Sequence, residues 1–178
     1  MRRALATAVL AAAAACSRPA GDAARAVREY DDVLVRAYRD GDTSGMARVA
    51  SAKEAGRVRV LVDLKSAGKL VLESTLESFE VVRADVAPGG DRATVETRER
   101  WRYFDRHLRP GDAPGPTFVA DMSMRYDLVR EDGRFKVGGV TTLANTYVGP
   151  APSGGAGAGH GHGAAGTAGA PRSGGGAE

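Results

Sequence analysis

The stretch from Arg92 to Tyr103 constrains the fold most strongly, because its side chains alternate in character with a period of two. One face carries Ala93, Val95, Thr97, Glu99, Trp101 and Tyr103, and the other carries Arg92, Thr94, Glu96, Arg98, Arg100 and Arg102. Alternation of this kind, with β-branched and aromatic residues, is typical of an antiparallel strand with one buried face. A shift of register by one residue would bury four arginines, so the inward face is strongly specified.

The length and charge of the chain indicate one nearly neutral domain with terminal tails. The sequence has 178 residues, with 25 basic against 22 acidic side chains. Much of the excess lies outside positions 23–148, at Arg2, Arg3, Arg18 and Arg172. A neutral domain lacks the basic surface that nucleic-acid binding requires, so we predict no nucleic-acid partner. We interpret the arginines of Arg98–Arg102 as a solvated strand face, with a polyanion site as the alternative.

The N-terminal segment begins with Met-Arg-Arg, continues with an apolar run over Ala4–Ala15 and ends at Cys16, the only cysteine. The run is too short to span a bilayer as a finished helix. This pattern resembles a bacterial lipoprotein signal peptide, in which the cysteine becomes the lipidated first residue. The resemblance implies a diacylglyceryl group and a further acyl chain, such as palmitate, on Cys16, and several chains anchor a protein stably. The alternative is an ordinary secretory signal cut at an Ala-x-Ala site, with Cys16 incidental.

These features divide the chain into four parts. We predict a signal peptide at residues 1–15, a tether at 16–22, a domain at 23–148 and a disordered tail at 149–178. The membrane is the predicted partner, through lipidated Cys16. Ser17 implies the outer membrane, facing the periplasm, if the cell has two membranes. His160 and His162 lie in the Gly- and Ala-rich tail and are interpreted as incidental, with a weak metal site as the alternative.

Three helical segments precede the strands. An apolar stripe predicts the first helix over Ala23–Asp40, and its members are Val27, Tyr30, Leu34, Ala37 and Tyr38. A short second helix is expected between Asp42 and Ala50. Ser51 and Glu54 form a capping-box pattern that starts a third helix. Its predicted apolar face, toward a sheet, consists of Val58, Leu61, Val62 and Leu64.

The second half of the domain has strand patterns. Leu70–Val86 changes parity between Leu76 and Phe79, which predicts a bulge. Phe118–Arg130 and a last strand, joined by the Glu131-Asp-Gly-Arg turn, complete about four strands. The class is therefore α+β, with three N-terminal helices packed on a bent antiparallel sheet.

The element order and the final hairpin, over Ala23–Leu143, resemble the cone-shaped fold of the nuclear-transport-factor-2-like superfamily. That superfamily includes ketosteroid isomerases, scytalone dehydratases and polyketide cyclases, and also many non-catalytic domains. Its cone often encloses a pocket, and its enzymes use Asp or His as a general base there, often with a Tyr donor.

A candidate site follows from this resemblance. Glu99 is the predicted catalytic base, because it lies on the apolar face of its strand, where burial favours the protonated carboxyl and strengthens the base. Its neighbours Thr97 and Trp101 and the candidate donors Tyr30 and Tyr103 form the predicted binding set. The alternative is that Glu99 lies at the rim of the sheet or pairs with an arginine.

Other catalytic patterns are missing from the sequence. It has no nucleophile elbow, phosphate-binding loop or dinucleotide fingerprint, and no Cys or His cluster with metal-site spacing in the domain. We therefore predict no cofactor and no metal site. The preferred interpretation is a lipid-anchored envelope protein whose non-catalytic domain binds a partner protein or a small apolar ligand. The alternatives are an isomerase or dehydratase with Glu99 as base, and a structural envelope protein whose tail contacts the cell wall.

Overall fold

The computed structural model describes residues 10–109 and 111–148, and the side chains from residue 19 onward. Three helices come first: α1 spans Leu10–Asp40, α2 spans Met46–Val49 and α3 spans Ala52–Ala67. Four strands follow: β1 spans Leu70–Val86, β2 Arg92–His107, β3 Phe118–Glu131 and β4 Arg134–Tyr147. The predicted α+β class, with helices packed on an antiparallel sheet of four strands, is confirmed.

Helix α1 is longer than its apolar stripe indicated. It begins at Leu10 instead of Ala23 and so includes residues 16–22, which the sequence analysis assigned to a tether, with Pro19 inside it. Alanine has the highest helix propensity, which favours helix in the run before Cys16. Within the described part of the chain, no helix is long and apolar enough to span a bilayer. Most of the predicted signal peptide and tail, including His160 and His162, lies outside the described residues.

The start of α3 follows the predicted capping box, but its apolar face is narrower than expected. Ser51 Oγ accepts a hydrogen bond from the backbone nitrogen of Glu54 at 3.3 Å. Val58 and Val62 are buried against the sheet, whereas Leu64 is 61% exposed. The prediction that Leu64 faces the sheet was therefore wrong, because a helix with apolar residues on several sides does not indicate which side is covered.

The sheet has the strand order β1-β2-β3-β4, and all neighbouring strands are antiparallel. On β2, the inward face is the one predicted from the alternation, and all six of its side chains from Ala93 to Tyr103 are buried. The ladder between β1 and β2 shifts register between Leu76 and Ser78, where a bulge was predicted. Asp132 and Gly133 have positive φ values of 51° and 77°, as a two-residue type I′ turn between β3 and β4 requires.

The two faces of the sheet differ in what covers them. Helices α1 and α3 pack on the inward face, and α1 lies mainly against β1. The outer face carries ion pairs between neighbouring strands, such as Arg100 with Glu77 at 3.2 Å and with Asp121 at 3.1 Å. Asp121 therefore lies at the surface, where the sequence analysis expected it.

Candidate functional site

Glu99 lies under the helices near the middle of β2, and its side chain is only 3% exposed. Its Oε1 accepts hydrogen bonds from the hydroxyls of Thr97 at 2.6 Å and Tyr126 at 2.8 Å. Its Oε2 accepts a hydrogen bond from Trp101 Nε1 at 2.6 Å. Thr97 and Trp101 reach it because residues two apart on a strand share a face. The carboxyl group is thus surrounded by three donors contributed by the protein itself.

Tyr126 joins this carboxyl group to a second one. Its hydroxyl lies 3.2 Å from Oδ1 of Asp31, on α1, as well as 2.8 Å from Glu99. Asp31 is 1% exposed, and its Oδ2 has no hydrogen-bond partner among the described residues. Burial raises the pKa of Asp31 well above its usual range, and the nearby Glu99 raises it further. The three side chains form a hydrogen-bonded chain, which we call the Asp31–Tyr126–Glu99 chain.

Tyr30 belongs to a separate buried cluster. Its hydroxyl donates a hydrogen bond to Glu54 Oε1 at 2.6 Å, and Arg57 donates to both oxygens of that carboxylate. Burial raises the pKa of the Tyr30 hydroxyl, and the charge of Glu54 adds to this effect. The rings of Tyr30 and Tyr126 meet edge to face, with centroids 6.2 Å apart. The predicted donor Tyr30 therefore contacts Tyr126 through its ring, while its hydroxyl is engaged by Glu54.

Tyr103 lies farther along β2 on the same face as Glu99. Four residues of strand separate them by about 13 Å. Its ring packs on Phe118 with centroids 5.8 Å apart. Burial raises the pKa of its hydroxyl, and a hydrogen bond with Tyr147 raises that pKa further. Of the predicted set, the structure brings Thr97 and Trp101 to Glu99, and directs Tyr30 and Tyr103 elsewhere.

Asp31 and Tyr126 belong to the buried cluster around Glu99 but were not among the predicted site residues. A signal for Asp31 was available, since it lies four residues after Val27 and three before Leu34, within the apolar stripe of α1. Tyr126 stood on the predicted apolar face of β3, where a buried tyrosine hydroxyl needs a partner. Glu99 is buried under the helices and not at the rim of the sheet, and no arginine among the described residues pairs with it, so the structure favours neither part of that alternative.

The described residues contain no cluster of three or more His, Cys, Asp or Glu side chains that could hold a metal ion. His107 ends β2, and its Nδ1 lies 3.9 Å from a carboxylate oxygen of Asp112. Two half-exposed groups of this kind do not make a metal site.

Two surface depressions lie outside the buried clusters. The first, which we call the outer-face groove, has a volume of about 390 Å³ and crosses all four strands. Its lining residues are Ser78, Phe79, Glu80, Arg98, Glu99, Asp121, Met122, Ser123, Ala144 and Thr146. The second, which we call the basic pocket, has a volume of about 280 Å³ at the junction of α1, α2 and the β3–β4 hairpin. Its charged lining residues are Asp22, Arg25, Glu29, Arg48, Arg130 and Arg134.

Comparisons with known proteins show similarity in fold alone. No family model matches the sequence, and no curated protein matches it significantly. Twenty-one chains of solved structures do match. One is the intermembrane space region of the chloroplast protein ARC6, with a TM-score of 0.64 and 20% sequence identity, covering 70% of this chain and 96% of that one. The resemblance to the nuclear-transport-factor-2-like superfamily stays a prediction.

Proposed function

We propose that this chain is a lipid-anchored protein of the cell envelope, whose domain binds a protein partner without catalysing a reaction. The observation that carries the non-catalytic part is the state of Glu99. A general base needs a lone pair directed at a substrate proton, in a position that a substrate can reach. Here the carboxyl group is 3% exposed and accepts hydrogen bonds from three protein side chains. This arrangement suits a group that holds the core together.

The anchored part of the proposal rests on the N-terminal pattern. Two arginines, an apolar run and a cysteine preceded by three alanines follow one another in the order of a lipoprotein signal. The similar domain of ARC6 belongs to an intermembrane space, by its description. An envelope location for this chain agrees with that description. The proposal of this location rests on the N-terminal sequence and not on the similarity in fold.

The outer-face groove is the surface that we assign to the partner. Ser78 and Ser123 contribute small side chains to its lining, and Arg98 lies opposite Ser123 in the ladder between β2 and β3. Charged groups of both signs, Arg98 and Asp121, lie beside apolar lining residues such as Phe79 and Met122, and this mixture is typical of protein interfaces. Of the expected ligand classes we choose the protein partner, because paired charges of opposite sign give a protein segment a defined orientation.

Photo-crosslinking in intact cells tests the assignment. A photoreactive residue at Ser123, in the groove, should give one adduct of defined mass, whereas the same residue at Arg59, exposed on α3, should give none. Asp121→Lys, which reverses a charge in the groove, should weaken the Ser123 adduct severalfold. Equal adducts from both positions, no adduct from Ser123, or an adduct insensitive to Asp121→Lys would contradict this docking surface.

An isomerase or dehydratase is the second candidate, and one observation favours it. Oδ2 of Asp31 lacks a hydrogen-bond partner among the described residues, although it is fully buried. Unsatisfied buried polar atoms and carboxyl pairs of this kind occur at catalytic sites. For the enzyme, Glu99→Gln would abolish turnover and leave the stability of the fold intact. The structural envelope role, in which the tail spaces or contacts the cell wall, stays a prediction, because that segment lies outside the described residues.

A further inference from the structure

The basic pocket brings together arginines from four separate elements or turns. Arg25 lies on α1, Arg48 on α2, Arg130 near the end of β3 and Arg134 at the start of β4. These residues are far apart in the sequence, so the fold alone assembles them. Four guanidinium groups around one depression repel one another, and nearby anions reduce this repulsion.

Only half of this charge is compensated within the described residues. Asp22 pairs with Arg25 at 2.6 Å, and Glu29 pairs with Arg48. No carboxylate of the described part lies within ion-pair distance of Arg130 or Arg134. The pocket therefore carries two guanidinium charges, those of Arg130 and Arg134, that are available to bind an anion.

Arg130 is also held in a fixed orientation. Its Nε donates a hydrogen bond to the carbonyl oxygen of Gly90 at 2.8 Å, and its Nη1 donates to that of Gly133 at 2.9 Å. Its guanidinium lies over the ring of Phe135, 4.2 Å from the centroid. Carbonyl oxygens and an aromatic ring orient the group without cancelling its charge. A guanidinium fixed in this way loses little conformational freedom when it binds an anion.

The pocket also lies toward the end of α1 that carries Cys16. Asp22 and Arg25 follow Cys16 by six and nine residues of continuous helix. At 1.5 Å per residue they stand about 9 and 14 Å from it along the axis. The headgroup layer of a bilayer is about 5–8 Å thick on each side, so with Cys16 lipidated the pocket would reach this layer if α1 were tilted toward the membrane plane.

We propose that the basic pocket binds the phosphate group of an anionic phospholipid headgroup and so orients the domain on the membrane. The orienting role rests on the proposed lipid anchor, whereas binding by the pocket does not. Guanidinium groups match the geometry of phosphate oxygens with paired hydrogen bonds. The pocket has a volume of about 280 Å³, which is far more than a single water molecule occupies and leaves room for a phosphate group.

The test is a titration of the purified full chain in a neutral detergent, followed by the NMR signals of the arginine Nε–H groups. The ligands are short-chain phosphatidylglycerol, short-chain phosphatidylcholine and inorganic phosphate. We expect phosphatidylglycerol to shift the Arg130 and Arg134 signals at saturation. Arg134→Gln should weaken this binding about fivefold, the effect of one basic residue near an anionic lipid surface. Arg59→Gln, exposed on α3 and outside both proposed surfaces, is the matched control and should leave the affinity unchanged.

Each other outcome overturns the proposal. Equal binding of phosphatidylcholine would show that the pocket does not select an anionic headgroup. Binding of inorganic phosphate without phosphatidylglycerol would contradict the headgroup assignment, and an unchanged affinity of Arg134→Gln would remove the pocket from the binding. The full chain with Cys16→Ser should bind phosphatidylglycerol normally, so a failed anchor and a failed pocket are distinguished.

Discussion

The hydroxyl of Tyr126 lies between two buried carboxyl groups, and its single hydrogen determines how charge is divided between them. The shorter distance, to Glu99, favours donation to that carboxylate. Burial raises the pKa of Asp31, which favours its protonated form. The protonated carboxyl group can donate a hydrogen bond to the hydroxyl oxygen of Tyr126. Thr97 and Trp101 also donate hydrogen bonds to Glu99, so the donors of this cluster gather at that carboxyl group. Two adjacent buried charges would cost far more than a single one.

The first prediction concerns the ionisation of Asp31. Its pKa in the folded state is raised above the unfolded value of about 3.9, so its contribution to stability is complete below that pH and is lost as the pH rises. Asp31→Asn cannot ionise. We expect its free energy of unfolding, relative to the wild type, to rise with pH above about 4, by up to about 1.4 kcal/mol per unit, until the pH passes the folded-state pKa of Asp31.

Urea unfolding across that pH range measures the difference. Asp32→Asn is the control, since Asp32 is half-exposed and pairs with Arg28 at 3.7 Å. It should change the unfolding free energy by less than about 1 kcal/mol. A difference between Asp31→Asn and the wild type that stays flat or falls with pH would contradict the protonated state of Asp31.

The second prediction concerns Glu99. Glu99→Gln keeps the size of the side chain but replaces one acceptor oxygen with an NH₂ donor. That NH₂ group would face at least one of the donors Thr97, Trp101 and Tyr126, so a hydrogen bond would be lost. We expect the domain to lose about 2–3 kcal/mol of stability, the magnitude of hydrogen bonds to a buried charged group. Glu96→Gln, on the opposite face of β2, is the matched control and should change the unfolding free energy by less than about 0.5 kcal/mol. Unchanged stability of Glu99→Gln would favour the enzyme instead.

At the level of elements, strand β2 could be predicted from sequence almost completely. Burial of one face leaves a single acceptable register, because the alternative would place Arg98, Arg100 and Arg102 in the core. The turn between β3 and β4 was equally predictable, since Asp132 and Gly133 suit the positive φ values of a two-residue hairpin turn. Local chemistry determines these features, so one sequence suffices.

Helix α3 shows where such reasoning ends. Its sequence has apolar residues on several sides, so periodicity could not indicate that Val58 and Val62 would be covered and Leu64 exposed. The Asp31–Tyr126–Glu99 chain could not be predicted either, because it also depends on tertiary packing. Asp31 and Tyr126 are 95 residues apart, and their meeting depends on how α1 crosses the sheet, which no local pattern determines.

At the scale of the whole molecule, the two proposed surfaces have separate positions. The basic pocket lies at the junction of α1, α2 and the β3–β4 hairpin, and the outer-face groove crosses the four strands on the side away from the helices. A domain held on the membrane through α1 and the basic pocket would leave this groove accessible to a partner. Membrane attachment and partner binding would thus use different faces of one fold.

Lipid attachment at Cys16 underlies the proposed membrane location, and the mass of the N-terminal peptide from native membranes measures it. We predict a chain that begins at Cys16 and carries a diacylglyceryl group and a further acyl chain. The Cys16→Ser chain, as control, should lack this modification and leave the membrane fraction. An unmodified Cys16 at the N-terminus, as after an ordinary secretory cut, or within an uncleaved chain, would contradict the account.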